Sequence, residues 1–228
     1  MRRLILFDID GTLLVTGGRA GRVLGHALTE VFGSAGPIAR TRFTGKTDPQ
    51  IVFELMAAHG LPRATVAARI DAVFELYLAG LERELTPDTV TVLPGVRPLL
   101  AALGGRDDVR LGLLTGNIRG GAAVKLRAAR LDHSFQVGAY GSDDEERDRL
   151  VPIARRRAAE YWGEEFAPAD TLVIGDAPAD IRCARAGDAR VVAVATGGTT
   201  MDELARFAPD ALLPGLDSPL VLNRLLAL

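Results

Sequence analysis

The sequence predicts an α/β fold in which an all-helical domain is inserted into a doubly wound, mostly parallel sheet. Two observations support this prediction. Short apolar runs alternate with helix-like segments along most of the chain, which is typical of right-handed strand–helix–strand crossovers with helices on both faces of a sheet. Residues 18–88 break this alternation, because they contain no convincing strand and show only helical periodicity.

The apolar runs are the predicted strands of a Rossmann-like core. The first run, Leu4-Ile5-Leu6-Phe7, has the composition of a fully buried parallel strand and ends in carboxylates. Similar runs follow at residues 109–114, 135–139, 171–174 and 190–195. The helix-like segments between them are residues 118–130, 152–162 and 179–186. In such sheets the ligand site lies beyond the carboxyl ends of the strands, so the polar residues that end these runs are the candidate site residues.

The inserted region is predicted to form helices at residues 22–32, 49–59 and 64–84. Each segment places apolar residues three and four apart, and breaks that contain glycine and proline separate the segments. We therefore predict a core domain of residues 1–17 and 89–228 and a helical domain of residues 18–88.

Composition excludes several classes of protein. The chain has 228 residues, of which 48% are hydrophobic and 25% charged, and its formal net charge of −2 with no basic stripe argues against a nucleic-acid partner. The single cysteine, Cys183, excludes an intramolecular disulfide and a cysteine-rich metal site. No apolar stretch approaches the ~20 residues that cross a bilayer, so no membrane partner is expected. We predict a cytoplasmic protein that is a monomer or homodimer.

Carboxylates end two of the predicted strands. Asp8 and Asp10 follow the first, two residues apart, and Asp176 and Asp180 follow the run at residues 171–174. Carboxylates that crowd at one edge of a sheet repel each other, and a divalent cation relieves this repulsion. Mg²⁺ prefers oxygen ligands and needs only one or two carboxylates. The structural alternatives to a metal site are an aspartate-rich turn for the first pair and an acidic helix N-terminus for Asp180.

The segment Thr115-Gly116-Asn117 ends the run at residues 109–114. A hydroxyl and free backbone N–H groups at a helix start suit a phosphate group. An ordinary helix cap by Thr115 or Asn117 is the structural alternative, and both readings can hold together.

These motifs together resemble those of the haloacid dehalogenase-like superfamily of hydrolases. The first motif of that family, Asp-x-Asp-x-Thr, matches Asp8-Ile9-Asp10-Gly11-Thr12. Thr115 matches the second motif, and Gly175-Asp176 with Asp180 match the fourth. The inserted helical domain corresponds to the family's helical cap. The resemblance extends over essentially the whole chain.

The resemblance implies a role for each matching residue. Asp8 would be the nucleophile that forms an aspartyl-phosphate, and Asp10 would be the general acid and then the general base. Mg²⁺ would be held by Asp8, the main-chain carbonyl of Asp10 and Asp176, with Asp180 as a further ligand or a support. The substrate's phosphoryl group would be bound by Thr12, Thr115, Gly116 and Asn117. Of these, Thr115 is counted among the catalytic residues.

The third motif of the family is a basic residue, usually lysine, and here the sequence departs from the pattern. Lys125 follows the second motif too closely to take this position. Arg147 or Arg149 must therefore supply the positive charge, and the sequence does not decide between them.

Asp10 favours a phosphatase within the superfamily, because dehalogenases and phosphonoacetaldehyde hydrolases do not have this acid. The implied substrate is a small-molecule phosphate ester such as phosphoglycolate, and the alternative reaction is that of a phosphosugar mutase. Residues 43–48 resemble a substrate-facing cap loop of phosphoglycolate-phosphatase-like members, in which Lys46 would bind an anionic group of the leaving alcohol. A surface lysine is the alternative for Lys46.

Overall fold

The computed structural model describes residues 2–218 and 221–227 and contains one six-stranded parallel sheet and one two-stranded ladder. The strands, in chain order, are β1 (Arg3–Phe7), β2 (Leu14–Val15), β3 (Thr91–Val92), β4 (Val109–Thr115), β5 (Val137–Tyr140), β6 (Thr171–Gly175), β7 (Arg190–Val194) and β8 (Ala211–Leu213). The large sheet has the order β5-β4-β1-β6-β7-β8, and all of its pairings are parallel. This confirms the predicted doubly wound α/β class.

The helices lie between these strands. They are α1 (Arg19–Phe32), α2 (Asp48–Ala58), α3 (Arg63–Ala67), α4 (Ile70–Glu84), α5 (Val96–Gly104), α6 (Arg119–Ala129), α7 (Leu150–Trp162), α8 (Pro178–Ala186), α9 (Met201–Ala205) and α10 (Val221–Ala227). Short 3₁₀ turns occur at Ile38–Arg40, Asp132–Ser134, Arg147–Arg149 and Pro168–Asp170. None of the helices in the described ranges is long and apolar enough to cross a membrane. The cytoplasmic location and the oligomeric state stay predictions.

Both faces of the sheet are buried, which explains why the central strands carry continuous apolar runs, such as residues 4–7 of β1. Ile5 and Phe7 of β1 belong to a core cluster that also includes residues of the helices α1–α4. Leu4 and Leu6 point to the opposite face and belong to a second cluster with residues of α7 and α8. All four side chains are fully buried, so each large-to-small substitution is expected to cost about 2–5 kcal/mol of unfolding free energy.

The strand register brings the candidate site residues to one edge. Phe7, the last residue of β1, lies between Leu113 of β4 and Ile174 of β6. The backbone N–H of Asp8 donates to the carbonyl of Ile174 over 2.9 Å. The polar segments that follow these three central strands therefore meet at the carboxyl edge of the sheet.

Four helices, α1 to α4, lie between β2 and β3 in the chain. The two strands pair antiparallel, so the entry to the helical region and the exit from it are joined. Close packing of α1 on α4 requires Gly80, because a Cβ atom there would lie 2.4 Å from Cγ1 of Val23. The proposed domain limits at residues 17/18 and 88/89 remain a prediction.

Three local features differ from the sequence prediction. The single helix predicted at 64–84 is interrupted between α3 and α4, where the N–H of Arg69 bonds to the carbonyl of Val66 in a tighter turn. Helical spacing of apolar residues continues across this turn, so periodicity does not reveal it. The β2–β3 ladder and the edge strand β8 were not predicted, because runs of two or three residues are too short to show alternation.

Candidate active site

Three buried aspartates form the centre of the site. Asp8 follows β1, while Asp176 and Asp180 lie in the turn after β6 and in the first turn of α8. Each offers a carboxylate oxygen, and these atoms lie within 4.8 Å of one another. All three side chains are at most about one-twentieth exposed. The register of β1 against β6, rather than local sequence, brings these groups together.

Arg147 supplies the positive charge beside the nucleophile candidate. One terminal nitrogen of its guanidinium lies 3.2 Å from Oδ1 of Asp8 and also bonds to Oδ1 of Asp180. The side chain is buried, and its Nε has no hydrogen-bond partner among the described residues. Arg149, two residues on in the same 3₁₀ turn, points away: its side chain is 69% exposed and pairs with Asp144 at 3.3 Å. The structure therefore brings Arg147, and not Arg149, into the site.

Asp180 uses both carboxylate oxygens to support its surroundings. Oδ1 accepts a hydrogen bond from the guanidinium group of Arg147, and Oδ2 accepts one from the backbone N–H of Ala177 at 2.9 Å. Gly175 is needed for this arrangement, because a Cβ atom there would lie 2.2 Å from Cγ of Asp180. Of the two roles expected for Asp180, this geometry favours the support over the direct metal ligand.

Asp176 is enclosed by backbone and by Thr12. The Thr12 hydroxyl lies 3.4 Å from Oδ1 of Asp176, and Thr12 is fully buried. A Cβ atom at Gly11, whose φ is +83°, would lie 2.6 Å from Oδ2 of Asp176, and one at Gly197 would lie 1.7 Å from it. The structure places Thr12 beside a candidate metal ligand, and its expected contact with the substrate stays a prediction.

A buried lysine holds Asp10. The Nζ atom of Lys125 on α6 donates to Oδ2 of Asp10 at 2.6 Å and to Oδ1 of Asn117 at 2.5 Å. The side-chain amide of Asn117 donates to the same Asp10 oxygen at 2.7 Å and to the Thr115 hydroxyl at 2.8 Å. Asp10 is 43% exposed toward the cavity, whereas Lys125 is only 4% exposed. The sequence prediction excluded Lys125 from the third motif and gave it no role, so this contact was missed.

One sequence signal could have found Lys125. It is one of only two lysines in the chain, and it lies on the apolar face of its helix, three residues after Ala122 and four before Ala129. A lysine at a buried helix position requires a carboxylate or amide partner. Asp10 could not be identified as that partner without the fold, because 115 residues separate the two in the chain.

The start of α2 docks directly on the loop after β4. The N–H of Asp48 donates to the Gly116 carbonyl at 2.7 Å, and Oδ2 of Asp48 accepts the N–H of Ile118 at 2.8 Å. The Thr47 hydroxyl donates to the carbonyl of Glu145 at 2.8 Å and also accepts the N–H of Gln50 as the helix N-cap. Asp48 was not among the predicted site residues.

Two of the predicted phosphate- and substrate-binding residues lie at this junction. A Cβ atom at Gly116 would lie 2.1 Å from the carbonyl oxygen of Lys46, so only glycine fits there. The ammonium group of Lys46 forms an ion pair with Glu54 of α2, and the Lys46 side chain is about one-third exposed. Lys46 and Gly116 both line the cavity.

The charge balance of the aspartate cluster is negative. Burial raises the pKa of Asp8 above the usual aspartate range; Arg147 opposes this shift and the neighbouring Asp180 adds to it. Burial also raises the pKa of Asp176, and the charges of Asp180 and Asp8 act in the same direction. Burial raises the pKa of Asp48 to about 6, against the field of Lys125. Because Arg147 is the cation that contacts the cluster, the site favours protons or an added cation.

A cavity of about 910 Å³ opens above these groups. Its floor is formed by residues of the sheet edge: Asp8, Asp10, Thr115, Asn117, Lys125, Arg147 and Asp176. Its walls are formed by α1, by the segment at 35–48 and by Tyr77 of α4. Cavities of this volume accommodate small molecules.

Comparisons with known proteins agree with this architecture. Residues 2–188 match the family described as haloacid dehalogenase-like hydrolase. A phosphoglycolate phosphatase from Rhodospirillum rubrum is 30% identical over 203 residues, which cover 86% of this chain and 81% of that protein. Pyrophosphatase PpaX from Anoxybacillus flavithermus is 27% identical over 219 residues, which cover 92% and 91% of the two chains.

Solved structures share the fold. The crystal structure of a hydrolase from Pseudomonas syringae superposes with a TM-score of 0.74 at 23% sequence identity, covering 100% of this chain and 99% of that chain. At this level of identity the likeness concerns the fold alone.

Proposed function

Since the chain belongs to the haloacid dehalogenase-like hydrolases, we propose that it is a magnesium-dependent phosphatase that hydrolyses a small-molecule phosphate monoester through an aspartyl-phosphate. One observation carries this proposal. Asp8 lies buried beside Arg147 and Asp176 on the floor of a cavity into which Asp10 is exposed. A nucleophile, a counter-charge and a proton donor therefore face the same space, as phosphoryl transfer requires.

The residues account for both halves of the reaction. An oxygen of Asp8 forms a bond to phosphorus while the bond from phosphorus to the leaving oxygen breaks, and Asp10 gives that oxygen a proton. Asp10 then takes a proton from the water whose oxygen attacks phosphorus, which releases phosphate from Asp8. Lys125 and Asn117 both bond to Oδ2 of Asp10, so Oδ1 is available to carry the proton.

Thr115 and Arg147 are proposed to bind the phosphoryl oxygens. The Thr115 hydroxyl oxygen accepts from the side chain and the N–H of Asn117, so its hydrogen is available to a phosphoryl oxygen. Arg147 has a buried Nε without a partner among the described residues, and its charge offsets that of Asp8 and the phosphoryl group.

The donor atoms of the site fit magnesium. Asp8 and Asp176 offer carboxylate oxygens, which a hard cation prefers, and Arg147 pairs with Asp8 and Asp180 rather than with Asp176. We propose that these two carboxylates and the main-chain carbonyl of Asp10 hold Mg²⁺. When bound, the ion would neutralise charge on the carboxylates and on the phosphoryl oxygens.

A phosphate-release assay tests this function. Purified protein with Mg²⁺ is offered sugar phosphates, nucleotides, phosphoglycolate and aryl phosphates. Asp8→Asn is expected to lower kcat by at least about 10⁴-fold, because the nucleophile is lost. Asp132→Asn, a change of the same type in an exposed turn, is the control and should retain the parent rate. Full activity of Asp8→Asn would contradict the proposal, and isomerised sugar phosphate without free phosphate would assign the mutase alternative instead.

A further inference from the structure

The walls of the cavity above Asp10 differ in character from its floor. Where the floor is charged, the part formed by α1 and the segment at 35–45 is mainly apolar. The apolar side chains that line this part are Ala20, Leu24, Ala35, Ile38, Ala39 and Phe43. They line the same cavity as Asp8 and Arg147, so an ester whose phosphoryl group contacts these two residues has its alcohol portion in the space that they share.

We propose that this wall binds the leaving group, and that the preferred substrates are phosphate monoesters of alcohols with an aliphatic or aromatic body. The inference rests on the proposed phosphatase function and narrows its substrate class. A cavity of about 910 Å³ is much larger than a glycolate leaving group needs, and apolar walls contribute to binding only where the ligand removes them from water.

The cations of the cavity argue against a carboxylate-bearing leaving group. Three of the cations that line it already have a carboxylate partner: Lys46 pairs with Glu54, Lys125 with Asp10, and Arg147 with Asp8 and Asp180. A second anionic group on the substrate would have to break one of these pairs to bind any of these three cations. It would also lie near the carboxylates of Asp10 and Asp48, which line the same space. Arg22 and His26 line the cavity only as exposed residues of α1.

Two glycines of α1 allow the segment at 35–45 to pack directly against this helix. A Cβ atom at Gly25 would lie 3.2 Å from Cδ1 of Ile38, and one at Gly21 would lie 3.2 Å from the ring of Phe43. Glycine at these two positions therefore allows the apolar side chains of the 35–45 segment to lie against the helix without a further layer of side chains between them. The wall is formed by backbone and by a few large apolar groups.

A homologous series of n-alkyl phosphates from ethyl to hexyl phosphate tests the inference, because the leaving alcohols differ little in acidity. We expect kcat/KM for phosphate release to rise roughly fourfold for each added methylene until the chain fills the wall. Phosphoglycolate is expected to be a poorer substrate than propyl phosphate, which is similar in length and carries no carboxylate.

A pair of cap variants assigns the effect to the wall. Ile38→Asp places a charge in this wall and should remove the dependence of kcat/KM on chain length; a dependence as steep as that of the parent would contradict the inference. Leu76→Asp is the matched control, because Leu76 is an exposed apolar residue of α4 outside the cavity and should leave the series unchanged. Thermal unfolding shows whether each variant folds, and Ile38→Ala, which keeps a smaller apolar side chain, should give a shallower dependence on chain length.

The outcomes separate this inference from the proposed function. If phosphate release depends on Asp8 but kcat/KM is flat along the series, or if phosphoglycolate exceeds hexyl phosphate, the apolar leaving-group site is wrong and the phosphatase stands. If Asp8→Asn keeps full activity, or if no ester releases phosphate, the proposed function fails and this inference fails with it.

Discussion

Residues of one helix and of the loop before it form hydrogen bonds to the Asp10 carboxylate. These bonds determine which of its two oxygens can carry a proton. Lys125 and the Asn117 amide both bond to Oδ2, which fixes the carboxyl group at the cavity floor. Lys125 itself is buried and does not need to touch the substrate. We regard it as a positioning residue for the acid.

Replacing Lys125 with methionine tests that role. Lys125→Met keeps most of the side-chain volume and removes the hydrogen bonds, so we expect kcat to fall about 10- to 100-fold with an alkyl phosphate, whose alcohol must be protonated. The loss with 4-nitrophenyl phosphate should be smaller, because nitrophenolate leaves without a proton. Arg127→Met, an exposed change on the same helix, is the control. Equal losses with both esters would show that Lys125 acts through something other than Asp10.

A second test compares Arg147 with Arg149. Both lie in one 3₁₀ turn, but Arg147 is buried and Arg149 is exposed. Arg147→Ala should lower kcat/KM at least about 100-fold, because it removes the cation beside Asp8. Arg149→Ala should change it by less than about twofold. Thermal unfolding of both variants is measured in parallel, because removing Arg147 also leaves Asp180 buried without its partner and is expected to cost about 3–5 kcal/mol. A larger loss of activity in Arg149→Ala would reverse the assignment.

At the level of elements, the start of α2 and the loop after β4 form the contact between the helical region and the sheet edge. Asp48 accepts from the N-terminus of α6 and donates to Gly116, while Thr47 reaches the carbonyl of Glu145. These bonds connect the cavity wall that carries Lys46 to the loop that is proposed to bind phosphate. The position of this wall therefore depends on the absence of a side chain at residue 116.

Gly116→Ala should disturb this contact. Its Cβ atom would lie 2.1 Å from the carbonyl of Lys46, so the cap loop must shift away from the β4 loop. We expect kcat/KM to fall at least about tenfold and Tm to fall, measured by steady-state kinetics and thermal unfolding. Gly104→Ala is the matched control, since a Cβ atom there has no neighbour within 4 Å, and it should be neutral or slightly stabilising. Parent-like kinetics in Gly116→Ala would mean that this contact does not control the site.

For the whole molecule, the buried carboxylates link stability to pH and to metal. The pKa values of Asp8 and Asp176 are raised in the folded state, so the folded protein holds protons that the unfolded chain has released. Without metal, the free energy of unfolding should therefore fall as pH rises above about 4, the ordinary aspartate pKa, and should level off once both groups have ionised in the folded state.

Magnesium should reverse this loss. Because the ion binds ionised carboxylates, we expect the increase in Tm on adding Mg²⁺ to be larger at pH 8 than at pH 6. Differential scanning calorimetry with EDTA and with Mg²⁺ at both pH values measures it. In Asp176→Asn the increment should shrink at both pH values. An increment that is independent of pH, or that persists in Asp176→Asn, would contradict the proposed metal site.

The sequence predicted what depends on strand ends, and it missed what depends on distant contacts. The strands β1, β4 and β6 contain continuous apolar runs, so the polar residues that end or follow these runs, Asp8, Thr115 and Asp176, were identifiable as neighbours at one edge. The contact between Lys125 and Asp10 was not, because nothing local relates residues that only the β1–β4 pairing brings together. The choice between Arg147 and Arg149 likewise depended on the exact turn before α7.

Direct detection of the phosphorylated residue tests the central claim about Asp8. In Asp10→Asn the base that activates water is lost, whereas 4-nitrophenyl phosphate still reacts without an acid, so the aspartyl-phosphate should accumulate. With Mg²⁺ present, we predict a burst of about one nitrophenolate per active site, followed by slow turnover. Acid quenching and peptide mass spectrometry should locate the phosphoryl group on Asp8. No burst and no labelled Asp8, in a protein whose parent hydrolyses the ester rapidly, would contradict the account.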